Sequence, residues 1–139
     1  MNDLSIIVRQ MRVYAERALK ELGVGFPEQV VIMYLMSHGS SNQRQIADYL
    51  GIDQGAITKT IGKLEAKELV VRTVNPSNRR EKILVLAPAA AAMRDELNAT
   101  YLEWSSAVFA GISDEQRTQF EQAIAKMAKN SAALLDGDE

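Results

Sequence analysis

Residues 43–86 read QRQIADYLGIDQGAITKTIGKLEAKELVVRTVNPSNRREKILVL, and the period of their apolar side chains changes midway. Up to Lys67 it is helical. Gln43 to Leu50 suits a short helix that Gly51 stops, and Asp53 can cap a longer one from about Gln54 to Lys67, with Ile57, Ile61 and Leu64 on its inner face. From Leu69 the β-branched run Leu69-Val70-Val71-Arg72-Thr73-Val74 reads as a strand, and Lys82-Ile83-Leu84-Val85-Leu86 as its partner. Between them Asn75-Pro76-Ser77-Asn78-Arg79-Arg80-Glu81 is a turn-rich, basic tip. Two helices joined at a glycine and followed by such a hairpin describe a winged helix-turn-helix.

The flanks are helical. Leu4, Ile7, Val8, Met11, Tyr14, Ala15, Ala18, Leu19 and Leu22 follow a three-and-four spacing, so residues 4–22 predict an amphipathic helix ending at Gly23. Pro27 and Glu28 suit the first turn of a second helix running to about His38. Asn42 and Gln45 have the spacing of a capping box for the short helix. After Pro88, a long helix carries Met93, Leu97, Tyr101, Trp104 and Val108. Ser113 and Gln116 cap a last one, with Phe120, Ile124, Met127 and Leu134, before a frayed tail from Asp136 to Glu139. The expected class is mainly α (α+β), in one structural unit spanning 1–139.

A chain of 139 residues, 47% hydrophobic and 24% charged, buries a core without disulfide or metal staples. With no cysteine and one histidine, His38 at a helix end, it offers no thiolate or histidine metal site and no thiol redox switch. Phosphate loops, nucleophile elbows and paired catalytic carboxylates are missing too, so no catalytic residue and no cofactor are expected. No apolar run approaches the about 20 residues of a membrane helix, and Asp3 stands where a signal peptide is basic; the expected location is the cytoplasm. The net charge of −2 is unevenly spread. Residues 1–52 balance, residues 53–82 carry +3, and residues 83–139 carry −5. A polyanion partner therefore belongs at the central segment.

That segment suits double-stranded DNA. A helix fits the major groove, and its N-terminus presents free N–H groups to phosphate. Thr58, Lys59 and Lys63 lie opposite Ile57, Ile61 and Leu64. Isolated lysines are ordinarily a solvated face, but Arg79 and Arg80 on the hairpin let one duplex meet helix and tip together.

At these residues the chain resembles the MarR family of bacterial transcriptional regulators. The resemblance rests on Gln29, on Gln45-Ile46-Ala47-Asp48-Tyr49-Leu50-Gly51-Ile52, on Ile57-Thr58-Lys59 with Leu64-Glu65, and on Asn78-Arg79-Arg80 followed by Ile83 to Leu86, which is similar to the family's Asp-x-Arg wing motif. It implies a homodimer on a pseudo-palindromic operator, with residues 27–87 binding DNA and helices at 1–22 and 88–135 dimerising. Arg79 would reach the minor groove, and Arg80 would shape the wing and meet phosphate. The DNA-facing set is then Arg44, Gln54, Gly55, Ala56, Thr58, Lys59, Lys63, Arg79, Arg80 and Lys82. Leu4, Ile7, Val8 and Met11 with Ile124, Met127 and Leu134 would serve the dimer interface. A small aromatic effector would fit a pocket between the domains lined by Tyr14, Phe26, Met33 and Trp104, and would release a repressor. Four positions depart from the family pattern: Asn78 replaces an aspartate, Gly55 and Ala56 replace small hydroxyl residues, Glu68 takes a helix-ending glycine site, and Ala87 replaces a threonine cap. A winged helix used for protein–protein assembly, without operator binding, is the alternative.

Overall fold

Helix α2 (Phe26–His38) is apolar on nearly every side, which is the pattern of a helix surrounded by protein. In the computed structural model, which describes residues 2–136, Val31, Ile32 and Leu35 of α2 form the middle of the core. Around α2 lie α1 (Asn2–Ala18), α3 (Gln43–Leu50) and α4 (Gln54–Ala66). They are followed by strands β1 (Val70–Asn75) and β2 (Asn78–Leu86), then α5 (Pro88–Ala92), α6 (Arg94–Val108) and α7 (Asp114–Asp136). Ile46 and Ala47 of α3, Ile57, Ile61 and Leu64 of α4, and Leu69, Val70 and Leu84 at the wing base complete the core together with Ala90 and Leu97. The mainly helical winged helix-turn-helix expected from the sequence is the fold observed. The chain divides into two compact units, the first ending at Trp104 and the second starting at Ser105. Within the second, Phe109 packs edge-on against Phe120 with ring centroids 5.9 Å apart, and Arg117 lies over Phe109.

Three expectations change in detail. The first helix stops at Ala18 rather than Leu22, and Lys20–Leu22 form a tighter 3-10 turn that Gly23 closes in the left-handed region at φ 66°. Leu19 at this break is buried, so core packing overrides the continuous helical spacing. The long helix after Pro88 is interrupted at Met93, whose N–H bonds back to Ala90 in a tight turn. The hairpin tip is shorter than expected, because β2 already begins at Asn78. Antiparallel pairing runs from Val70 with Leu86 to Val74 with Lys82 and then jumps to Asn75 with Asn78, leaving Arg79, Arg80 and Glu81 as a bulge on β2. The expected frayed tail lies, beyond Asp136, outside the described residues.

Candidate nucleic-acid interface

The geometry of the helix-turn-helix starts from its caps. Asn42 accepts from the Gln45 N–H at 2.7 Å, and Gln45 accepts from the Asn42 N–H at 2.9 Å, closing the expected capping box on α3. Gly51, at φ 62°, ends α3 in the left-handed region and turns the chain into α4. There Asp53 accepts from the Ala56 N–H at 2.9 Å. A side chain at Gly55 would place its Cβ 3.1 Å from that capping carboxylate, so a larger residue there requires the cap to give by a few tenths of an ångström.

Beyond the cap, Gln54, Gly55 and Ala56 are exposed, as are Lys59 and Lys63 one and two turns further. Among the described residues no acidic group pairs with Lys59, Lys63, Arg79, Arg80 or Lys82, all of them exposed. Arg44 lies 3.8 Å from Asp48 with both side chains mostly in water, a weak pairing that leaves the guanidinium available. Thr58 differs. Its hydroxyl donates to the Gln54 carbonyl at 2.7 Å and accepts from the Gln43 amide, so its polar capacity is largely spent inside the protein.

The wing is oriented by residues the sequence did not single out. Glu81 turns inward from the β2 bulge and accepts from the side-chain amides of both Asn42 and Asn75. The amide of Asn75, and then that of Asn42, hold its carboxyl below the usual carboxylate range, against the opposing effect of burial. Asn78, where an aspartate was expected from the family pattern, only accepts from the Arg80 N–H at 3.2 Å. Glu81 thus supplies the anionic anchor that position 78 lacks. Arg72 on β1 forms a second tie, donating to Glu65 at 2.8 Å and to Gln43 at 3.3 Å. Ser41 forms a third: its N–H and carbonyl bond Leu84 of β2 at 3.3 and 2.8 Å, adding a one-residue strand to the wing. At the opposite end of α4, Lys67 donates to the buried Glu28 carboxylate at 2.6 Å and to the Gly23 carbonyl at 2.7 Å, fixing the helix to the start of α2.

Tyr14, Phe26, Met33 and Trp104 line one cavity of about 180 Å³, together with Leu97 and Thr100. Its wall is almost wholly apolar. Burial, then a hydrogen bond to Glu103 and that group's charge, raise the Tyr14 phenol above its ordinary value. On α1, Leu4, Ile7 and Met11 are half-buried and Val8 is exposed, and the helix has no buried residue at all. On α7, Ile124 is half-buried while Met127 and Leu134 are exposed.

Residues 27–82 match the model of the MarR family. CouR from Rhodococcus jostii RHA1, whose structure holds p-coumaroyl-CoA, is 27% identical with a TM-score of 0.83 over 90% of this chain and 88% of that one. A MarR-type regulator from Listeria monocytogenes, solved with a 26mer DNA, is 18% identical with a TM-score of 0.90 over 95% of this chain and 88% of that one. The transcriptional regulator SlyA is 16% identical with a TM-score of 0.91 over 99% and 97%. The last two likenesses are of fold.

Proposed function

We propose that this chain, whose residues 27–82 match the MarR family model, is a winged helix-turn-helix transcriptional regulator of that type that represses by binding a pseudo-palindromic operator as a homodimer and is released by a small aromatic effector. The observation that carries this reading is the set of exposed, acid-free cations on the two elements a duplex would meet, Lys59 and Lys63 on α4 and Arg79, Arg80 and Lys82 on the wing. In this arrangement α4 enters the major groove with its N-terminal residues Gln54 to Ala56 nearest the bases. Ala56 offers a methyl group to thymine, whereas Lys59, Lys63 and Arg44 serve phosphates. Arg79 enters the adjacent minor groove, where a narrow A·T-rich stretch concentrates negative potential. Residues 27–87 form the reading head, and the helices at 1–22 and 88–135 serve the dimer.

Dimerisation is supported by the exposed apolar stripes. Val8 on α1 and Phe120, Met127 and Leu134 on α7 leave large side chains in water, which a second copy would cover. The effector is supported by the apolar cavity under Tyr14, Phe26, Met33 and Trp104, whose size suits a single ring. CouR, the 27% identical neighbour, holds an aromatic acyl thioester.

A gel shift on the DNA upstream of the protein's own coding sequence, with salt varied, tests DNA binding. A sequence-selective shift that weakens steeply with salt is expected, and no shift at low salt would overturn the reading. Light scattering at micromolar concentration should find a dimer. Met127→Asp should be monomeric and silent on DNA, and a monomeric wild type would remove the two-headed mechanism.

A further inference from the structure

A chain of side-chain bonds runs from the wing across α3 to the outer flank of α4. Glu65 of α4 accepts from the Arg72 Nε at 2.8 Å, and the Arg72 Nη2 donates to the Gln43 Oε1 at 3.3 Å. A guanidinium can only donate, so the Gln43 amide must turn its oxygen to Arg72 and its NH2 the other way. That NH2 donates to the Thr58 hydroxyl at 2.5 Å, and the hydroxyl in turn donates to the Gln54 carbonyl at 2.7 Å. The Thr58 proton is therefore committed to the helix backbone, and one of its two oxygen lone pairs to Gln43, although the residue is exposed. Of the two branches on the Thr58 Cβ, the methyl is the one left for a partner to touch.

We propose that Thr58 reads thymine through its methyl group, and that Gln43 and Arg72 are the positioning residues that hold it in this role. A threonine in a helix ordinarily divides between two χ1 rotamers, because its hydroxyl can bond either of the carbonyls one turn back. The Gln43 bond selects the rotamer in which the hydroxyl meets Gln54 and α3 at once. A hydroxyl so engaged cannot donate to the N7 or O6 of guanine, or to the O4 of thymine, as a free threonine can. What remains is apolar contact, and the apolar group that a base pair displays in the major groove is the thymine C5-methyl. Arg72 belongs to β1, so the attachment of the wing and the chemistry read by α4 are linked. Without Arg72 the Gln43 amide is free to turn over, and Thr58 loses the donor that fixes its rotamer. This inference rests on the DNA-binding reading above and adds the base chemistry that Thr58 recognises.

The DNA upstream of the protein's own coding sequence, amplified either with dTTP or with dUTP in its place, tests the proposal, because deoxyuridine differs from thymidine only in lacking the methyl group. In anisotropy titrations at fixed salt, the wild type should bind the thymine fragment about threefold or more tighter than the uracil fragment. Thr58→Val keeps the methyl and holds one rotamer without help, so it should keep that ratio. Thr58→Ser keeps only the hydroxyl and should lower the ratio by about twofold. Gln43→Ala and Arg72→Met should lower it in the same direction. Adding Thr58→Val to Gln43→Ala should restore it, which a purely structural role for Gln43 would not allow. None of these changes removes a core side chain, so each variant should melt close to the wild type. Equal binding of both fragments by the wild type, or a ratio kept by Thr58→Ser and lost in Thr58→Val, would overturn the proposal while leaving DNA binding in place. A ratio that the double variant fails to restore would remove Gln43 as a positioning residue. A wild type that binds neither fragment at low salt would overturn the DNA-binding reading, and this inference with it.

Discussion

In the proposed complex helix α4 and the wing meet the same duplex, but different forces hold them. Ile57, Ile61 and Leu64 anchor α4, each at most 1% exposed. Burying such side chains stabilises by about 1.5–3 kcal/mol apiece. Past Val70 and Leu84 the wing has no comparable anchor: Val71, Thr73, Val74 and Val85 are exposed, and its orientation depends on Glu81, Arg72 and Ser41. The aim of α4 is therefore a packing property and that of the wing a hydrogen-bonding property. They should answer to different perturbations.

The largest effect should come from the packed side. Ile61→Ala deletes a fully buried side chain and should cost about 2–5 kcal/mol, read as a fall in melting temperature that carries the wing down with it. A loss below about 1 kcal/mol would mean that α4 is not held by its core face. Next come the exposed cations. Replacing Lys59 and Lys63 together by alanine should lower the salt slope of DNA binding by about one or two units without changing stability, whereas Arg79→Ala should weaken binding most on A·T-rich flanks. Loss of specificity at an unchanged slope in the double variant would make Lys59 and Lys63 base readers rather than phosphate contacts.

The two regions meet at Glu68, which adopts a left-handed backbone at φ 57° without being glycine. Glu68→Gly should relieve strain and stabilise the fold by about 1 kcal/mol, detectable as a rise of a few degrees in melting temperature. A destabilised glycine variant would show that the glutamate side chain contributes more than its backbone costs. The smallest effect should be confined to the wing. Because its amide partners depress the Glu81 pKa below the ordinary carboxylate value near about 4, the stabilisation from its charged form is full above that value. It is lost as pH falls through the depressed folded pKa. Backbone resonances of Asn75 to Glu81 should shift in that acid range while those of α4 do not, and Glu81→Gln should abolish the difference. Equal acid responses in both regions would remove the distinction between them.

Much of this was legible in sequence because it is local. The two capping residues, Asn42 and Asp53, and the apolar spacing of Ile57, Ile61 and Leu64 bound α3 and α4 to within a residue. The exposure of Lys59 and Lys63 follows from lying opposite those isoleucines. What escaped was set by distant partners. Nothing near Glu81 announces that its carboxylate reaches Asn42, 39 positions away, or that Gln43 occupies the hydroxyl of Thr58. Leu19 and Met93 fit a helical period, and only the packed structure reveals breaks beside or at them. Tyr14, Phe26, Met33 and Trp104 lie on three helices, and their meeting at one cavity depends on how those helices pack.

The bond pair between Ser41 and Leu84 has a consequence for solubility. It occupies the edge of β2 that faces away from β1, so that Leu84 exposes neither its N–H nor its carbonyl there. A two-stranded hairpin with branched apolar side chains such as Val71, Val74 and Val85 in water is a template for pairing with another chain. Closing that edge uses a residue far away in sequence, so the hairpin can form before its cover arrives. During synthesis or refolding, the interval before Ser41 docks is when two copies of the wing are best placed to zip together, edge to edge, into an aggregate.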